Sequence, residues 1–138
     1  MDKTVIADSD SLIALLNVDD ANHTKAVGQL EKLIGQGYRI IYPATVIVET
    51  TTTFQIKFSN PRLSDQIVKM TAQAQLPVET VDQRIIDKAI VLFSTSGSKK
   101  NTLFDAVVAA TAQIMNAEAI FSFDKWYETK GFKLVSDI

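Results

Sequence analysis

At 138 residues and 46% apolar, the chain is long enough to bury one proper core. Its formal net charge of -2 excludes a simple cationic nucleic-acid binder, though not a nuclease whose metal ions supply positive charge. Cysteine is absent, which excludes thiol catalysis, thiolate metal sites and disulfides.

No apolar run nears the roughly 20 residues of a membrane span. Asp8 and Asp10 interrupt any signal-peptide pattern. A soluble cytoplasmic protein without membrane contact is expected, as one domain over residues 1–138.

Residues 4–7 (Thr-Val-Ile-Ala) read as a short buried strand, followed by Asp8-Ser9-Asp10-Ser11, rich in helix N-cap residues. Leu12, Ile13, Leu15 and Leu16 give a brief helix. A second helix reopens after Asp19-Asp20-Ala21-Asn22 and stops at Gly35 or Gly37. Residues 39–42 form the next strand, ended by Pro43. A helix from about residue 44 then carries Glu49. Thr50, Thr51, Thr52 and Thr53 favour strand by propensity. Helix is nonetheless expected, because Val46, Glu49, Thr50 and Thr53 share one face.

Pro61 suits the first position of a helix running to about residue 74. Residues 76–81 suggest a short strand, with Pro77 placing it at an edge. Asp82 caps a helix through residue 93 whose core stripe is Ile85, Ile86, Ala89, Ile90 and Phe93. Ser94-Thr95-Ser96-Gly97-Ser98 reads as a loop. Residues 103–115, apolar and alanine-rich, read as a central buried helix, and residues 119–122 and 133–135 as fourth and fifth strands. Strands alternating with helices predict an α/β fold with helices on both faces of a mainly parallel sheet of about five strands.

Four acids each sit where an apolar run meets a polar boundary: Asp8, Glu49, Asp105 and Asp124. A carboxylate in such a run is costly unless solvated, paired or bound to a cation. Asp8 and Asp124 directly follow predicted strands, at the carboxyl edge where parallel α/β sheets bind ligands. If their strands are neighbours, the two meet there, and Glu49 and Asp105 reach the same crevice from helices. Hard oxygen donors in this number suit Mg2+ or Mn2+. Taken singly, Asp8 and Asp124 also read as helix caps and Glu49 as a solvated side chain. Asp105 inside an apolar helix has the weakest structural explanation.

These segments resemble the PIN-domain family, most closely the VapC-type toxin ribonucleases. Val5-Ile6-Ala7-Asp8-Ser9 resembles the family's strand and Asp-Thr/Ser turn, and Asp19-Asp20-Ala21-Asn22-His23 its next segment. Pro43-Ala44-Thr45-Val46-Ile47-Val48-Glu49 resembles the second-acid helix, Leu103-Phe104-Asp105-Ala106 the third-acid helix, and Phe121-Ser122-Phe123-Asp124 the closing Thr/Ser-x-Asp. The resemblance implies a three-layer α/β/α PIN-like domain and an Mg2+- or Mn2+-dependent endoribonuclease. Asp8, Glu49, Asp105 and Asp124 would be its metal ligands or water orienters. It further implies an RNA substrate, an antitoxin partner and a homodimer. Two positions depart from the pattern. Asp10 stands where a small polar residue is usual, and is expected to cap the first helix or reach the metal through water. Ser122 replaces the commoner Thr and is expected to support the site by hydrogen bonding.

Other residues carry less. His23 is the sole histidine, so no His-based dyad or metal site can form; a structural role is expected. Trp126 and Tyr127 offer base stacking, but packing is favoured, and Lys99, Lys100 and Lys125 are rim phosphate contacts at most. Two other readings stay open: a non-catalytic PIN fold that binds RNA or protein, and a haloacid-dehalogenase-like phosphatase, whose Asp-x-Asp start Asp8-Ser9-Asp10 resembles. Covalent trapping at Asp8 marks the phosphatase. Metal binding without RNA cleavage marks the binding module.

Overall fold

The structure is a computed structural model that describes residues 3–94 and 100–138. Its first strand, β1 (Lys3–Ala7), is buried from Thr4 onward, as its β-branched run requires. It leads through Asp8 into α1 (Ser9–Leu16), followed by α2 (His23–Gly35) and β2 (Tyr38–Pro43). Gly37, at φ 82°, makes the turn between α2 and β2, a conformation open to glycine at little cost. His23 Nδ1 lies 2.7 Å from the Ala14 carbonyl oxygen, so that nitrogen carries the proton and ties α2 to α1.

The threonine run is helical despite its propensity. It closes α3 (Ala44–Thr52) and opens one π-helical turn, Thr53–Lys57. Thr51 Oγ1 donates to the Ile47 carbonyl at 2.7 Å and Thr53 Oγ1 to that of Glu49 at 2.8 Å. These back-bonds satisfy those two hydroxyls within the helix, while Thr50 Oγ1 is buried without a hydrogen-bond partner among the described residues. Val46 and Thr50 are buried on the inner face.

Pro61 opens α4 (Pro61–Ala72), where Asn60 Oδ1 accepts from the Leu63 amide. The edge strand β3 (Val78–Glu79) and α5 (Gln83–Ser94) follow, with Asp82 capping α5 through the Ile85 amide at 3.0 Å. Ile85 and Ala89 are buried, but Ile90 and Phe93, expected in the same stripe, are half exposed. The predicted loop at residues 94–98 falls outside the described residues from residue 95 on, as does Lys99. In α6 (Leu103–Ile114) every residue from Ala106 to Ala112 is buried, and its alanines let it lie close on β1 and β2.

The chain then enters β4 (Ala119–Phe121) and the short α7 (Trp126–Thr129). All strand pairings are parallel, in the order β3-β2-β1-β4, and helices flank the sheet. The described sheet therefore has four strands, not five. Residues 133–135 contribute only an isolated bridge between Leu134 and Ile120. The Leu134 amide and carbonyl are both taken by Asp137, at 3.0 and 2.8 Å, and the chain turns into a 3-10 helix.

β1 lies between β2 and β4, so the connections leave β1 in opposite directions and open a crevice at its carboxyl end. The β1–β4 register sets Ala7 beside Phe121, and the Asp8 amide donates to the Phe121 carbonyl at 3.0 Å.

Candidate functional site

Asp8 and Asp124 leave neighbouring strands at this crevice, α3 brings Glu49, and the first turn of α6 brings Asp105. Asp8 is buried, with only 3% of its surface exposed. Its Oδ1 accepts from the Ser9 amide at 2.7 Å, which makes it the cap of α1. Its Oδ2 accepts from the Tyr127 hydroxyl at 2.6 Å.

Asp10, expected to cap that helix, has another role. Its Oδ2 accepts from Ser122 Oγ at 2.9 Å and from the Phe123 amide at 2.8 Å. It therefore fastens α1 to the turn after β4. Ser122 joins three of the acids: its Oγ also lies 3.4 Å from Asp8 Oδ2 and accepts from the Asp124 amide at 3.0 Å.

Asp124 Oδ1 accepts from the Trp126 amide at 2.9 Å, and its Oδ2 accepts from Asn101 Nδ2 at 2.8 Å. The same Asn101 nitrogen lies 3.3 Å from Asp105 Oδ2, which also accepts from the Thr102 amide at 2.9 Å. Asp105 is thus the third residue of its helix, closing a Thr-x-x-Asp capping arrangement. Asn101 is a link that sequence reasoning missed, since nothing in a polar stretch before a helix marks it. Tyr127 was missed too: both it and Trp126 are buried, so neither offers a face to a base.

Four of the acids, Asp8, Asp10, Glu49 and Asp105, carry the electrostatic mark of crowding. Burial first, and then the charge of Asp10, hold Asp8 well above the usual carboxylate range. Burial pushes Asp10 up to about 6. Glu49 is raised by burial and then by Asp105 and Asp10, and Asp105 by burial and then by Asp124. Glu49 Oε1 and Asp10 Oδ1 are buried and have no hydrogen-bond partner. Unpartnered anionic oxygens in mutually repelling groups are what a divalent cation would relieve. Against this, no three acidic side chains among the described residues stand close enough to enclose an ion. The donor set of hard anionic oxygens would suit a divalent cation, while the spacing of the acids does not by itself form a closed site.

A pH effect follows. A carboxyl whose folded pKa lies above its unfolded value favours the fold while protonated, and that contribution is lost as pH rises through the folded pKa. In chelator, the melting temperature should fall as pH rises from about 4.5 to about 7, the window bounded by ordinary carboxylates and the raised Asp10. Asp10→Asn should flatten the fall. Melts that climb through this window would count against a repelling cluster.

The family model for the PIN domain matches residues 5–133. No curated protein matches the chain. Among solved structures, the chain resembles VapC20 of Mycobacterium tuberculosis, a toxin that cleaves the sarcin-ricin loop. That match has TM-score 0.79 and 19% identity, covering 93% of this chain and 95% of that one. It also resembles a chain of VapBC2 from Rickettsia felis, bound to a DNA fragment from their promoter (TM-score 0.67, 14% identity, coverage 94% and 92%). A toxin–antitoxin complex from Klebsiella pneumoniae matches at TM-score 0.61 and 17% identity, covering 88% and 87%.

Proposed function

This chain belongs to the PIN domain family, and we propose that it is a metal-dependent endoribonuclease, the toxin of a toxin–antitoxin pair acting in the cytoplasm. The observation that carries the reading is the gathering of acids from β1, α3, α6 and β4 at one sheet edge, with raised proton affinity at Asp8, Glu49 and Asp105. In this reading Asp8, Glu49, Asp105 and Asp124 hold Mg2+ or Mn2+. When bound, such an ion supplies a Lewis acid at the scissile phosphate and an acidified water. The acids orient the attacking water, while Ser122, Asp10 and Asn101 fix the acids. Lys25, which sits over the Phe123 ring at 5.5 Å, and Lys125 are rim cations suited to flanking phosphates.

An antitoxin partner and a homodimer complete the proposal. Their support is the company of toxin–antitoxin complexes among the structural neighbours and a set of exposed large apolar side chains. An open cavity of about 460 Å³, lined by Leu12, Leu16, Leu30, Tyr42, Met70 and Leu76 among others, contains none of the site acids. Val48, Ile56 and Val91 are each at least 60% exposed elsewhere. Family membership removes the phosphatase reading. The non-catalytic binding module keeps one supporting observation, the open geometry of the acids.

The deciding experiment incubates the purified protein with structured and single-stranded RNAs in Mg2+, Mn2+ or chelator. Cleavage is expected only with metal, and not from a variant with all four acids changed to Asn or Gln. Metal or RNA binding without cleavage selects the binding module instead.

A further inference from the structure

We propose that Tyr127 is a positioning residue for the metal site, its hydroxyl fixing the orientation of the Asp8 carboxylate. The inference rests on the metallonuclease reading above. Tyr127 Oη to Asp8 Oδ2, at 2.6 Å, is the shortest hydrogen bond to a site acid among the described residues, and it joins residues 119 positions apart. The ring is fully buried and packs edge-on to Trp126, with centroids 5.2 Å apart. Its short helix is held by Asp124 Oδ1 on the Trp126 amide, so the hydroxyl cannot easily swing away.

Phenylalanine would fill the same space. What tyrosine adds is a hydroxyl, bonded directly to Asp8 and also lowering the proton affinity of Asp105. Capping α1 needs only Asp8 Oδ1, which the Ser9 amide already engages. The hydroxyl bond fixes the other oxygen, and with it the plane of the carboxylate and the direction of its remaining lone pairs. Groups that orient a ligating side chain are worth roughly 10- to 100-fold in metal affinity. Through α7 the same contact ties Asp8 to Asp124, so two acids from different strands share one support.

The test compares wild type, Tyr127→Phe, Asp8→Asn and the double variant by Mn2+ titration, RNA cleavage and thermal melting. Tyr127→Phe should weaken Mn2+ binding on the order of 10-fold. It should lower kcat at limiting Mn2+ with KM for RNA unchanged, and added Mn2+ should restore part of the rate. In the Asp8→Asn background, where Mn2+ affinity is already low, the same change should cost clearly less than in wild type, because the hydroxyl no longer has an Asp8 carboxylate to orient. Equal losses in both backgrounds, a variant that fails to fold, or Mn2+ binding and kcat indistinguishable from wild type would each overturn the proposal. Those outcomes leave the nuclease reading standing. A wild-type protein that neither binds Mn2+ nor cleaves RNA removes both.

Discussion

Asp8→Asn is expected to raise the stability of the metal-free protein at neutral pH while removing most metal binding and RNA cleavage. Asp8 is the most deeply buried of the site acids, and burial and Asp10 together disfavour its charged form. Asn keeps the shape and one acceptor. Its oxygen can receive the Ser9 amide, and its nitrogen can face Tyr127, whose hydroxyl oxygen accepts as readily as it donates. The cap of α1 therefore survives and a repelling charge disappears. The functional cost lies elsewhere. A hard cation loses a charged ligand, and removing one preorganised electrostatic group typically costs about 10²- to 10³-fold in kcat. Melting curves in chelator, Mn2+ titration and RNA cleavage check the three parts separately. A variant that melts higher yet binds Mn2+ and cuts RNA like wild type would leave Asp8 a buried cap and nothing more.

Asp8 and Asp124 were legible because a single acid at the end of an apolar run can be read locally, and because parallel sheets collect strand ends at one edge. The pairing of β1 with β4 was only a condition in the sequence, met by the register of Ala7 with Phe121. Glu49 needed a helical phase through four threonines, against their propensity. The face shared by Val46, Glu49, Thr50 and Thr53 decided it, and back-bonding lets the helix absorb the Thr51 and Thr53 hydroxyls.

The supporting residues were not legible. Tyr127 and Asn101 act through contacts spanning 119 and 23 positions, and no periodicity encodes such pairs. Asp10 was read locally as a cap, whereas its bonds run to Ser122 and Phe123 more than a hundred residues away. The fifth strand failed for a local reason: Asp137, three residues on, captures the backbone of Leu134 before a ladder can extend. Thr102-x-x-Asp105, by contrast, was present in the sequence as a helix-start pattern and supplies the structural role that Asp105 otherwise lacks.

That capping role makes Asp105→Asn the sharpest separation of fold from function. If Asp105 served only the helix, its charge at the amino end of α6 would be stabilising, typically by about 0.3–1 kcal/mol, and Asn would lower the melting temperature. The direction of its proton affinity argues the other way. Burial and the charge of Asp124 raise the Asp105 pKa despite the lowering bonds from Thr102, Asn101 and Tyr127, so the folded surroundings disfavour the carboxylate on balance. Asn retains an oxygen for the Thr102 amide and the Asn101 nitrogen, now without repelling Asp124. Stability should therefore hold or rise above the ordinary carboxylate pKa range, and the effect should shrink in acid, where the wild-type group is protonated in both states. Asp105→Ala removes the acceptor as well, and loss of a cap costs about 1 kcal/mol, so Ala should melt below Asn. Metal-dependent RNA cleavage should fall for both, by about 10²-fold or more if one preorganised charge is lost. Ala and Asn thus differ in stability but agree in activity, a pattern that a purely structural Asp105 cannot produce. Melts at two pH values and cleavage with and without chelator, on all three proteins, decide it; full cleavage by Asp105→Asn would remove Asp105 from the proposed metal site.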